Sequence, residues 1–235
     1  MTFSRMRRFS LLIVLACLCS TSYSLARSYE DIAETLFKRG NRDNAVHVMG
    51  QAIKQSPKNG FLYATRGRYL LRGEHYNLAL ADLTKAISID PATRQDWVYR
   101  MRAECYVNLG NNEAAIADLN KAIALKPHDE YFKMLGEVNY QMKRFDEAIN
   151  SFSKGIAMNT KNYWLYKLRG DVFFQQQKYK KAVEDYTSVI RLVPNETVGY
   201  GSRAKAYERL GLHALADKDL ARTKKGNDFM DDLMK

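Results

Sequence analysis

The side chains that most often do chemistry are sparse in this chain and badly spaced for it. His47, His75, His128 and His213 are separated by 28, 53 and 85 residues and give no metal-ligand spacing. Cys105 has no His or acid recurring with it, and its place in a helical pattern predicts a buried, inert thiol. Ser151-Phe152-Ser153-Lys154 matches the Ser-x-x-Lys string of some acyl-transfer enzymes, but it lies inside a predicted helix and their accompanying motifs are missing. No glycine-rich phosphate loop is present. Asn195-Glu196-Thr197 is a glycosylation sequon, of use only in a host that glycosylates exported proteins. The residues therefore nominate no catalytic group, no metal site and no cofactor, and the expectation is a protein that is not an enzyme.

The elements that carry these residues are of two kinds. The first is an N-terminal address. Residues 1–26 contain three Arg (Arg5, Arg7, Arg8) and no acid, followed by the mostly apolar run Phe9–Cys19. Small residues at Ser24 and Ala26 fit the small-x-small rule for signal cleavage. Eleven residues are too few to span a bilayer, which takes roughly twenty. The expectation is an export signal over 1–26, giving a periplasmic or secreted protein. The rival reading takes Val14-Leu15-Ala16-Cys17 as a lipobox with Cys17 acylated, which makes an outer-membrane lipoprotein whose only membrane contact is that anchor. Removal of 1–26 lowers the formal charge from +11 to +8 by taking three Arg and no acid.

The second kind of element repeats. Pro57, Pro91, Pro127 and Pro194 stand 34, 36 and 67 residues apart. Setting each proline at place thirty-two of a 34-residue unit gives six units, beginning at Ala26, Gly60, Asp96, Asp129, Tyr163 and Thr197. Place four is then aromatic throughout: Tyr29, Tyr63, Tyr99, Phe132, Tyr166 and Tyr200. Place eight is small (Ala33, Gly67, Ala103, Gly136, Gly170, Ala204) and place twenty is always Ala (Ala45, Ala79, Ala115, Ala148, Ala182, Ala216). Place twenty-four is large and apolar: Met49, Leu83, Leu119, Phe152, Tyr186 and Leu220. Within a unit the apolar places recur at three- and four-residue steps, which marks two amphipathic helices. Small side chains let the two approach, and proline follows the second, where it cannot extend the hydrogen-bond ladder.

These columns resemble the signature of the tetratricopeptide repeat family over about residues 26–230. The resemblance implies an all-α, right-handed α-solenoid of six helical hairpins over 27–230. Residues 225–235 are expected to form a short C-terminal capping helix or tail, with Phe229, Met230, Leu233 and Met234 on one face. Unit four departs most from the signature, with Asn139, Gly155 and Thr160 at places where the family prefers an aromatic, Ala and Pro, and is expected to be the softest.

Place seven is Arg in units two, three, five and six, and place twenty-three is Asp in the same four; the other two units lack both. That covariation predicts ion pairs within hairpins: Arg66–Asp82, Arg102–Asp118, Arg169–Asp185 and Arg203–Asp219.

The resemblance also implies a concave groove lined by first helices at places two, five, nine, twelve and thirteen. Those places hold Phe37, Phe61, Arg68, Arg72, Trp97, Arg100, Glu104, Lys133, Glu137, Tyr140, Trp164, Lys167, Asp171 and Phe174. Aromatic and Arg side chains are the usual anchors of protein recognition. Some family members grip a terminal carboxylate with Lys at place five and Asn at place nine. Here Arg100, Lys133 and Lys167 precede Glu104, Glu137 and Asp171 by four residues, so each cation is expected to be neutralised along its own helix. The expected activity is a scaffold or adaptor at the cell envelope that binds a protein or peptide, with no small-molecule substrate. Two rivals are a nucleic-acid-binding repeat protein and a regulatory subunit of an envelope enzyme. Mixed acids and bases along the groove disfavour nucleic acid.

Overall fold

The computed structural model describes residues 28–90 and 95–233, with side chains through Lys224. The expected export signal, Cys17, and the side chains of the expected C-terminal cap lie outside these residues. The described backbone is helical and contains no strand. Helix α1 covers 28–38, followed by α2 (Arg42–Gln55), α3 (Gly60–Arg72), α4 (Tyr76–Ile89), α5 (Asp96–Asn108) and α6 (Asn112–Leu125). Then come α7 (Asp129–Gln141), α8 (Phe145–Met158), α9 (Tyr163–Gln175), α10 (Tyr179–Leu192), α11 (Thr197–Arg209) and α12 (His213–Leu233). These are the six hairpins of an all-α repeat fold. The chain divides within α6 into two compact units, one ending at Asp118 and the other beginning at Leu119.

The repeat is metrical because each turn is built the same way. Helices α3, α5, α7, α9 and α11 have 13 residues, and α2, α4, α6, α8 and α10 have 14. Every first helix ends on a backbone N–H that reaches five residues back: Asn41 to Leu36, His75 to Leu70, Asn111 to Tyr106, Arg144 to Asn139, Lys178 to Phe173 and Leu212 to Tyr207, at 2.8–2.9 Å. That bond requires the preceding residue to be left-handed. Gly40, Gly110 and Gly211 supply φ of 74–81°, whereas Glu74, Lys143 and Gln177 adopt φ of 59–62° despite carrying a Cβ.

In the unit ending at Asp118, α2 packs on α3, α3 on α4 and α4 on α5. Ala33, Ala45 and Met49 join Leu62 and Tyr69 in one core cluster, and Leu83 joins Val98, Met101 and Cys105 in the next. The second unit repeats this with Ala148, Phe152, Leu165 and Val172, then with Ala182, Tyr186 and Ala206. The small residue of place eight is required by the large one of place twenty-four. A Cβ on Gly67 would stand 2.9 Å from Leu83 Cγ, one on Gly170 would stand 2.8 Å from Tyr186 Cε1, and one on Gly136 would overlap the Phe152 ring. Proline and the aromatic of place four are joined too: Tyr63 and Tyr200 donate their hydroxyls to the carbonyls of Pro57 and Pro194, each at 3.2 Å.

Hairpin four, which lacks that proline, ties its exit differently. Asp129 Oδ2 accepts from Asn159 Nδ2 and Asn162 Nδ2, both at 2.9 Å. Burial pulls the Asp129 carboxyl upward, but these hydrogen bonds outweigh it and hold the group below its usual value. The off-signature Asn139 is buried and donates to the Leu135 carbonyl at 2.9 Å.

The two end hairpins differ from the rest in ways the place columns explain. Places three and ten of later first helices are buried, as at Leu62, Tyr69, Val98, Cys105, Leu165 and Val172. In α1 they are the exposed Ser28 and Thr35. Place twenty-eight is Ile in five units (Ile53, Ile87, Ile123, Ile156, Ile190) and exposed Lys224 in the last. Leu220, with no hairpin after it among the described residues, is 43 % exposed where its counterparts are 0–2 %. Where a short separate helix was expected from 225, the backbone continues α12, which runs 21 residues in one piece.

Candidate functional site

All four Arg–Asp couples meet as two-pronged forks. Nε and Nη2 of the guanidinium donate to the two carboxylate oxygens at 2.7 and 2.7 Å for Arg66–Asp82, and 2.7 and 2.8 Å for Arg102–Asp118. The distances are 2.9 and 2.7 Å for Arg169–Asp185, and 2.8 and 2.8 Å for Arg203–Asp219. The carboxylates are 6–8 % exposed and the guanidinium side chains 16–27 %. The hydrogen bonds to Asp185 raise the Arg169 pKa further, while burial pushes the Asp185 carboxyl up. A third donor, Nη1, reaches the preceding hairpin: Arg102 to Thr84 Oγ1 at 3.5 Å, Arg169 to Ser153 Oγ at 2.9 Å and Arg203 to Thr187 Oγ1 at 3.1 Å. At the equivalent position ahead of Arg66 stands Gly50, which has no hydroxyl to offer. With Nε and Nη2 of each guanidinium held by its Asp, these arginines join the two helices of a hairpin, and three of them also reach the hairpin before.

The other chemically competent groups are also engaged in structure. Ser151 Oγ donates to the Glu147 carbonyl at 2.8 Å, and His128 Nδ1 accepts from the Glu130 N–H at 3.2 Å as the cap of α7. Cys105 is fully buried and burial pushes its thiol up to about 12. Among the described residues no cluster of His, Cys, Asp or Glu is arranged to hold a metal ion.

The residues assigned to the groove fall into separate groups, some in one unit and some in the other. In the unit ending at Asp118, Phe37 stacks on Tyr69 with centroids 5.0 Å apart. Tyr69 Oη and Arg68 Nη2 both donate to Glu34 Oε2, at 3.0 and 3.2 Å. Burial and the bond to Glu34 push the Tyr69 phenol up to about 12. Phe61 meets Trp97 edge-on at 6.2 Å, Arg72 is exposed, and Arg100 donates to Glu104 at 2.7 Å.

In the second unit, Lys167 donates to Asp171 at 2.6 Å, the expected neutralisation along α9. Lys133 corrects the expectation. Its Nζ turns back to Glu130 at 2.8 Å instead of forward to Glu137, whose carboxyl burial pushes up against the pull of Lys133. Half-buried Glu137 is costly to ionise, and exposed Glu130 one turn earlier offers the cheaper partner. Trp164 is 47 % exposed and lies against Tyr163 at 5.0 Å.

One cavity gathers several of these groups. About 310 Å³ in volume, it is lined by Tyr140, Lys167, Asp171, Phe174 and Gln175 with Tyr186, Ser202 and Lys205. Three first helices, α7, α9 and α11, and the second helix α10 contribute to it. Its floor is the Lys167–Asp171 pair, locked by the Tyr186 hydroxyl donating to Asp171 Oδ1 at 2.9 Å. Phe174 is held from behind by Tyr179 at 5.3 Å, and Tyr140 by Phe145 at 5.9 Å. Tyr186, Ser202 and Lys205 were not among the residues expected. Lys205 stands at place nine of unit six, so the same column that gave Asp171 would have found it. Tyr186 was assigned wholly to the core because it fills place twenty-four, yet its hydroxyl emerges in the cavity. Such a surface, with aromatic and charged side chains in its lining, can bind an extended chain.

Family models described as tetratricopeptide repeat match residues 26–59, 70–137 and 133–197, and the chain belongs to that family. Its repeats are in general non-catalytic platforms for protein interaction. The chain is similar to human Serine/threonine-protein phosphatase 5, with 36 % identity over 50 % of this chain and 24 % of the phosphatase. It is 26 % identical to Hsp70-Hsp90 organizing protein 1 of Arabidopsis thaliana, over 77 % of this chain and 32 % of that one. The chain thus spans about a quarter to a third of the length of these curated relatives. Among solved structures it resembles YrrB, described as a TPR protein with an unusual peptide-binding site. The TM-score is 0.64 at 17 % identity, covering 76 % of this chain and 91 % of that one, a likeness of fold alone.

Proposed function

We propose that the protein is an exported, non-catalytic scaffold or adaptor that binds a peptide or protein segment along its first helices, at the cell envelope. The observation that carries the binding part is the cavity between α7, α9, α10 and α11. Its floor is a pre-formed ion pair and its aromatic walls are braced from behind, so little ordering remains to be done when a chain docks. The peptide-binding description of YrrB and the organizing role in the name of the Arabidopsis relative support the same reading. Export rests on the basic, acid-free start and the apolar run of residues 1–26.

Photo-crosslinking residues placed at Trp97 and Trp164 test the binding face in cells. Defined protein adducts are expected from both sites and none from a probe at exposed Lys121; equal capture from all three defeats the reading. Location is read separately, from the N-terminus of the envelope-fraction protein. A start at Arg27 fits signal cleavage, and a start at acylated Cys17 fits the lipoprotein form. An intact Met1 in a cytoplasmic fraction defeats both.

A further inference from the structure

Of the two lysines that line the cavity, one is paired with an acid of its own helix and the other is not. In α9, Lys167 has Asp171. In α11, place five is Gly201, and Lys205 at place nine therefore has no acid one turn before it. Glu208, three residues on, does not compensate: Lys205 is exposed and forms no ion pair with any described residue. This exposed ammonium lines the cavity with Ser202, one turn earlier on α11, and with Tyr140 and Phe174. The space above Gly201 is open, with nothing within 4 Å of where a Cβ would be.

From this juxtaposition we infer that the cavity recognises an acidic side chain within a peptide, Asp or Glu next to an aromatic or large aliphatic residue. The inference rests on the peptide-binding reading above and names the chemistry of the ligand. The apolar side chain enters between Tyr140 and Phe174. The neighbouring carboxylate meets the Lys205 ammonium with the Ser202 hydroxyl as a second donor. Lys167 is unavailable, since Asp171 holds it and Tyr186 holds Asp171. A chain terminus is the alternative source of the carboxylate, and the third peptide below distinguishes it.

The test uses the full chain and fluorescein-labelled hexapeptides, acetylated and amidated so that no terminal charge remains. One carries Phe-Glu at its centre, a second Phe-Gln, and a third Phe-Gln with a free C-terminal carboxylate. The Phe-Glu peptide is expected to bind about threefold or more tightly than Phe-Gln, with the difference shrinking as salt rises. K205A is expected to remove that difference. G201E is expected to remove it too while leaving Lys205 in place, because Glu four residues before Lys neutralises it in the favourable orientation. Neither change disturbs the core, so circular dichroism should be unaltered. Equal binding of Phe-Glu and Phe-Gln, or a difference that survives both substitutions, overturns the inference, as does no binding of either peptide. Preference for the free carboxylate over Phe-Glu overturns it in favour of a chain terminus. The wider peptide-binding reading is decided independently by the crosslinks at Trp97 and Trp164.

Discussion

At Arg169 and Asp185 the two partners are unequally buried, 21 % and 6 % exposed, so removing them should not cost the same. Arg169→Met strands a buried carboxylate and is expected to cost about 3 kcal/mol of stability in denaturant unfolding. Asp185→Asn leaves a guanidinium that still reaches water and Ser153, and is expected to cost about 1–2 kcal/mol. In Arg169→Met the folded-state pKa of Asp185, already raised by burial, rises further above its unfolded value. Its contribution is then intact below the unfolded carboxylate range and lost as pH climbs through the folded value, so the deficit at neutral pH should fade near pH 3. Equal costs at neutral pH, or a deficit independent of pH, would contradict the geometry. Cys105 gives a second residue-level expectation. With its thiol fully buried and pushed up to about 12, aromatic disulfide reagents at pH 8 should label it only at the rate of unfolding. The Arg–Asp couples were legible in the amino-acid sequence because both-or-neither across six units is a pattern that needs no coordinates. The partner of Lys133 was not. Helical spacing permits both Glu130 and Glu137, and burial, which spacing does not encode, separates them.

The hairpins themselves were legible for a related reason: place eight against place twenty-four, and Pro against the aromatic of place four, are each one half of a contact. Gly136→Ala should therefore destabilise the protein by about 1–3 kcal/mol, because the added methyl meets the Phe152 ring; a melting temperature at or above that of the parent would show that the ring can yield. The turns were only half legible. Gly40 and Gly110 announce left-handed residues, whereas Glu74, Lys143 and Gln177 conceal the same conformation behind ordinary side chains. Replacing Lys143 by Gly should relieve that strain and stabilise the protein by about 0.5–1 kcal/mol, the opposite of what Gly does inside a helix. A loss of stability in thermal unfolding would mean that the Lys143 side chain contributes more than its backbone costs.

Across the whole chain, the columns mark ends as well as repeats. Ser28 and Thr35 at the first face and Lys224 at the last replace residues that are apolar or buried in the middle hairpins, a regularity visible only once burial shows which places face a neighbour. The cavity was the least legible feature. Tyr140, Lys167, Phe174 and Lys205 come from three hairpins, and periodicity supplied their face without showing which members converge. Nor does the net charge help, since most groove cations are cancelled locally and the excess is spread elsewhere.

The third donor of each fork has a mechanical meaning. Arg102 is riveted to Thr84 on the hairpin before it, but Arg66 finds only Gly50 and has no such rivet. Pulled from its ends in an optical trap, the first compact unit should surrender α1 and α2 before anything else, as a small early step of roughly thirty residues. Gly50→Ser, which supplies the missing hydroxyl, should delay that step to higher force.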